Sequence, residues 1–106
     1  MYLRLTFFKV KDGTMGDLRE LYNREVIPAH KSHKGLRFVH LLESLDDRSE
    51  GISVTAWDTK ADLDAYEKSG DYERLVGLFN DMYAGQPSLK SYEVTASSEP
   101  ILLRIF

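Results

Sequence analysis

The stretch Ile52–Tyr72, ISVTAWDTKADLDAYEKSGDY, decides how the chain folds. Its first six residues are β-branched, small or aromatic and suit a strand. Thr59 stands where a helix N-cap belongs, and Leu63 and Tyr66 follow at helical spacing. Ser69-Gly70 then interrupts the pattern, and Tyr72, Leu75, Val76, Phe79, Met82 and Tyr83 resume it. A strand followed by a helix in two pieces is the expectation. Gly85-Gln86-Pro87 closes the helix, and Leu89 to Thr95 alternates as a last strand.

Upstream, Ser44 to Gly51 is a polar turn carrying Asp46, Asp47, Ser49 and Glu50. A hairpin through it joins a strand over Leu36 to Glu43 with the strand ending at Trp57. Tyr2 to Lys11 reads as the first strand, with Leu3, Leu5 and Phe7 on one face and Arg4, Thr6 and Phe8 on the other. Asp12-Gly13 makes a turn, after which Thr14 is expected to cap a helix bearing Leu18, Leu21, Tyr22 and Val26 on one face. Pro28 is expected to bend or fray that helix, and Gly35 to end the connection.

Strand-helix-strand twice over is the ferredoxin-like βαββαβ arrangement of the α+β class: a four-stranded antiparallel sheet with two helices on one face. Residues 1–106 read as one domain, with a core over about 2–96 and a tail over 97–106. The uncovered sheet face is expected to carry Phe8 and Trp57 beside Arg4, Thr6, Ser53 and Thr55, and such a face calls for a second copy of the chain. The apolar Ile101 to Phe106 is expected to pack across that partner or along its own sheet edge.

Composition narrows the chemistry. The 106 residues include 14 Lys plus Arg against 17 Asp plus Glu, for a net charge of −3, and no cysteine. Disulfides, thiolate metal sites and a cysteine nucleophile are excluded. Apolar runs of only two or three residues are far short of a membrane span. Met1 leads straight into a strand-like segment, so the expected location is the cytoplasm. The acidic balance argues against a phosphate-backbone surface. Lys34-Gly35-Leu36-Arg37-Phe38-Val39-His40-Leu41 resembles an RNA-recognition signature, but it lies on the second strand rather than the third and begins its platform with Leu36, so no nucleic acid is expected.

Other constellations have a plain and a chemical reading. His30 and His33 are spaced to share a metal, yet no third ligand is evident and a polar helix end accounts for both. His40 reads either as a proton shuttle or as a hydrogen-bonded core histidine. Asp46, Asp47 and Glu50 read as a solvated turn. Trp57 reads either as an apolar plug at a dimer contact or as a wall on which a ligand stacks. No P-loop, G-x-G-x-x-G or G-x-S-x-G is present.

The stretch from Ile52 to Tyr72, with its strand, W-x-[ST], broken helix and S-x-x-[FY], resembles the antibiotic biosynthesis monooxygenase family of dimeric α+β barrels. Lys11-Asp12-Gly13-Thr14, Leu21-Tyr22-Asn23-Arg24 and Gly35-Leu36 fall where that family has a turn, a helix-one segment and a Gly-apolar pair. The resemblance spans residues 2 to about 96. It implies a homodimer packed through open sheet faces, and a cleft between sheet and helices where dioxygen oxidises a small aromatic or quinone-like substrate, often without metal or flavin. In that reading Trp57 walls the cleft, Arg4 and Thr6 hydrogen-bond a substrate oxygen, and His40 and Tyr92 are the candidates for proton handling.

One branch of the family degrades haem. Here Thr6 stands where that branch has an Asn and Val76 where it has the iron-ligating His, so no haem, and no other cofactor or metal, is expected. Two functions stay open: a cofactor-free monooxygenase, and a non-catalytic barrel that binds small molecules or serves a structural role.

Overall fold

A computed structural model describes residues 1–98. The order is β1 (Tyr2–Lys9), α1 (Met15–Leu21), a π-helical segment (Tyr22–Val26), α2 (Ile27–Lys31), β2 (Leu36–Glu43), β3 (Glu50–Trp57), α3 (Lys60–Lys68), α4 (Asp71–Gly77) and β4 (Ser88–Glu93). The strands form one antiparallel sheet in the order β2-β3-β1-β4, the ferredoxin-like topology expected. The apolar tail from Ile101 to Phe106 lies outside the described residues.

The register corrects which side chains face the helices. Arg4 pairs with Thr55, Thr6 with Ser53 and Phe8 with Gly51, and directly opposed residues share a face. Arg4, Thr6, Phe8 and Val10 are all buried, and Trp57 is completely so, on the helix side. Leu3, Leu5 and Phe7 are the half-buried set on the opposite face, with half-buried Ile52 of β3 and Phe38 of β2 and the exposed Leu42 of β2. Alternation establishes that the two sets differ in face but not which one meets the helices. Arg4 and Thr6 go inward because polar partners wait there.

Helix one runs without a break through its π segment. Pro28 stands at the start of α2, directly after the π segment, and the chain stays helical through it to Lys31, so the expected fraying does not occur. The π turn, closed by Ile27 N–H to Tyr22 C=O, has a further consequence. A step of four residues overshoots one α-helical turn by about 40°. The wider π turn absorbs that drift and keeps Leu18, Tyr22, Val26 and His30 aligned along one face. Thr14 does not cap the helix: its hydroxyl donates back to the Lys11 carbonyl at 2.7 Å.

Thr59 does cap α3, accepting from the Asp62 amide at 3.0 Å. The break at Ser69-Gly70 is real. Gly70 holds φ +83°, a left-handed conformation that a side chain disfavours, and α4 restarts at Asp71. The second piece is shorter than its apolar spacing suggests. It ends at Gly77 and continues as single turns that still carry Phe79 into the core, because spacing alone cannot distinguish a helix from consecutive turns of similar pitch.

Candidate active site

A cleft of about 50 Å³, open on one side, lies between sheet and helices. Its floor is Arg4, Thr6 and Phe8 of β1 with Ser53 and Thr55 of β3. Leu18, Tyr22, Val26 and His30 form one wall. Tyr66 of α3, with Tyr72, Leu75, Val76 and Phe79 from α4 and the turns after it, forms the other. Along β1 the floor changes from Arg4 to Phe8 over roughly 13 Å, so a polar end grades into an apolar one.

Arg4 dominates the polar end. Its side chain is only 4% exposed, and its guanidinium lies 5.4 Å from the ring centre of Tyr66 and 4.7 Å from that of Tyr72. Two aromatic faces stabilise a cation electrostatically where water is excluded. The Glu67 carboxylate pairs with it from α3. Because an arginine does not lose its proton in a protein, this end holds a fixed cation, offset in part by the Glu67 carboxylate. Thr6 is bonded to the Tyr72 hydroxyl at 3.4 Å.

His30 faces the same cleft. Its Nδ1 lies 2.8 Å from the Val26 carbonyl, which only accepts, so Nδ1 carries the proton and Nε2 is the basic nitrogen. Burial holds its pKa below the usual histidine value, which keeps the ring neutral at neutral pH. The ring packs on Tyr66 with centres 4.9 Å apart. The phenols stay protonated: burial pushes Tyr22 up to about 12 and raises Tyr66 further. The Tyr22 hydroxyl donates to the His40 carbonyl at 3.0 Å and accepts from Ser53 at 2.8 Å, locking helix one to the sheet.

The structure brings Arg4 and Thr6 together in the cleft but not the other candidates. Trp57 stands one layer behind, its Nε1 donating to Thr55 at 2.9 Å and its ring packed on Tyr66 at 4.9 Å. It therefore props the wall without lining the cleft. His40 and Tyr92 project from the opposite sheet face. His40 is exposed there and stacked on Phe38 at 4.4 Å, while Tyr92 is 49% exposed and pairs in register with Leu3. Strand alternation separates both from Arg4.

His30, Tyr66 and Tyr72 escaped the sequence reading as site residues. A signal for His30 was present, since it extends the Leu18, Tyr22, Val26 series by one more step of four. His33 turns to the second helical stretch. It bonds Asp71 at 2.7 Å, lowering the pKa of that carboxyl, and no group of three or more His, Asp or Glu suited to a metal ion occurs among the described residues.

Comparisons with known proteins agree with this architecture. Residues 1–78 match the family model for antibiotic biosynthesis monooxygenase. Among solved structures, a candidate antibiotic biosynthesis monooxygenase from Nitrosomonas europaea superposes with a TM-score of 0.74 at 20% identity, over 91% of this chain and 100% of that one. Rv0793 from Mycobacterium tuberculosis gives 0.74 at 16%, over 92% and 97%. A mutant of MhuD with two manganese protoporphyrin IX molecules bound per active site gives 0.73 at 18%, over 92% and 97%. At such identities these likenesses speak for the fold alone. No curated protein matches in sequence. With the family model covering nearly three quarters of its length, the chain belongs to the antibiotic biosynthesis monooxygenase family.

Proposed function

We propose that the protein is a cofactor-independent monooxygenase acting on a small phenolic or quinone-like aromatic held in this cleft. The observation that carries the reading is the buried Arg4 cation, paired with Glu67, packed on two tyrosine rings and sharing with a neutral histidine a cleft whose other end is lined by Phe8, Leu75 and Phe79. Such a site is built for a planar ring with one ionisable oxygen.

The chemistry follows from those groups. His30 Nε2 takes the proton of the substrate hydroxyl, and Arg4 and Thr6 hold the resulting oxyanion. The electron-rich anion gives one electron to dioxygen. The two radicals combine at a ring carbon, one oxygen atom stays there as a carbonyl, and the other leaves as water. For a simple phenol the balance is phenol plus dioxygen to quinone plus water. The protein supplies position, desolvation and charge. The position that carries the iron-ligating His in the haem-degrading branch is Val76 here, on the α4 wall, and an aliphatic side chain offers iron no ligand.

Oxygen uptake with a panel of hydroquinones and polyphenols tests the reading. Turnover without added metal or flavin is the expected result. Binding with no uptake would instead make the protein a non-catalytic small-molecule-binding barrel. Arg4→Met should weaken phenolate binding by about 1.5–3 kcal/mol, roughly ten- to a hundredfold, as for a lost charge-assisted hydrogen bond. Titration calorimetry checks this, and an unchanged affinity would move the anion elsewhere.

We further propose a homodimer through the face bearing Leu3, Leu5, Phe7, Ile52, Phe38 and Leu42, which the helices leave uncovered. Light scattering should give twice the 12.2 kDa chain mass. A mass of one chain that stays constant at high concentration would refute the assembly.

A further inference from the structure

We propose that residues 71–83 form a strap across the cleft, pinned by the His33–Asp71 pair, and that this pin limits the size of aromatic the cleft admits. The inference rests on the cleft being an aromatic-binding site, and it starts from volume. A dry cavity that accepts benzene measures roughly 150 Å³, whereas this one has about 50 Å³, so a ring enters only if a wall yields.

The floor is the least able to yield. β1 and β3 are the two inner strands, each hydrogen-bonded on both sides. Helix one is held by Tyr22 to His40 and Ser53, and by the forked pairing of Arg19 with Glu43 at 2.6 and 2.8 Å. The remaining wall is different. α4 has only seven residues, begins directly after the left-handed Gly70, and runs out into single turns such as Met82 N–H to Phe79 C=O.

That segment is tied at its two ends. The far end joins the sheet through backbone bonds, Lys11 N–H to Met82 C=O at 2.9 Å and Ala84 N–H to Lys9 C=O at 2.7 Å. The near end is tied by side chains, His33 Nε2 to Asp71 Oδ2 at 2.7 Å. The His33 ring is itself braced edge-on against Tyr66 and Trp57, so the pin connects the strap to the packed core. Between the two ties the strap is held by the apolar side chains of Leu75 and Phe79, by the 3.4 Å contact of Tyr72 with Thr6 and by the packing of the Tyr72 ring on the Arg4 guanidinium at 4.7 Å. His33 and Asp71 are therefore positioning residues: they set where Tyr72 sits over the cleft.

The test uses the full chain carrying Asp71→Ala, with His33→Leu as a second variant that fills the space beside Tyr66 and Trp57 but has no donor for Asp71. Amide hydrogen exchange should speed up at least tenfold over residues 71–83 and stay unchanged in β1 and β3. Affinity for 2-naphthol relative to phenol should rise at least fivefold. Glu73→Gln removes a neighbouring acid from the same helix turn without touching His33, and it should change neither quantity. Exchange that is unaltered or accelerated uniformly overturns the strap, and an unchanged affinity ratio overturns its control of ligand size. Failure of the wild-type protein to bind either phenol would instead defeat the aromatic-site reading, and with it the size limit, while the exchange data still decide whether the strap exists.

Discussion

His30→Gln is expected to lower oxygen uptake by about 10²-fold or more while leaving the fold intact, because the substitution removes the group that takes the substrate proton. General bases contribute roughly 10²–10⁴ in rate. Glutamine keeps an N–H for the Val26 carbonyl but has no basic nitrogen. Stopped-flow oxygen uptake, with the thermal midpoint as control, measures the effect. Equal rates in both proteins would remove His30 from the chemistry.

The same residue predicts two pH dependences. Activity needs the neutral ring, and burial depresses the folded pKa below the ordinary 6.5. The acid limb of the rate profile should therefore lie below pH 6.5 and vanish in the glutamine variant. Stability follows the same sign. Between the folded and unfolded pKa values the unfolded chain binds more protons, so the contribution is complete above about 6.5 and is lost as pH falls through the folded value.

Trp57→Ala should destabilise the protein by about 3–5 kcal/mol, the cost of deleting a large buried aromatic. The side chain is 0% exposed, packs on Tyr66 and donates to Thr55, whose hydroxyl would lose that donor. A ligand-stacking role, as the resemblance implies, would give a smaller loss confined to binding. Chemical denaturation of the variant separates the two. A loss under 1 kcal/mol would show that Trp57 is not the prop the packing indicates. Since a whole domain is stable by only about 5–15 kcal/mol, the variant should sit near the edge of folding.

The two readings of Trp57 show where sequence reasoning stops. Its position at the end of a strand, two residues before a cap, was legible because caps and alternation are local. Whether it faces ligand, partner or core depends on what Tyr66 does nine residues away on another element. The same holds for Arg4. Period-two alternation put it with Thr6 and opposite Leu3 and Leu5, and the sequence reading set it on the uncovered face. The leucine set took that face instead because Glu67, Tyr66 and Tyr72 give the charge its partners on the helix side.

The sequence by itself determined the order of the elements, the break at Ser69-Gly70, the cap at Thr59, the hairpin after Glu43 and the family. All of these are carried by neighbours along the chain. Only the tertiary structure decided the cleft. A π turn had to align His30 with Tyr22, a register had to turn Arg4 inward and His40 outward, and α4 had to bring Tyr72 over Thr6 from sixty-six residues away. Local propensity carries no information about such long-range pairings, because they exist only once packing has chosen which face of each strand is inside.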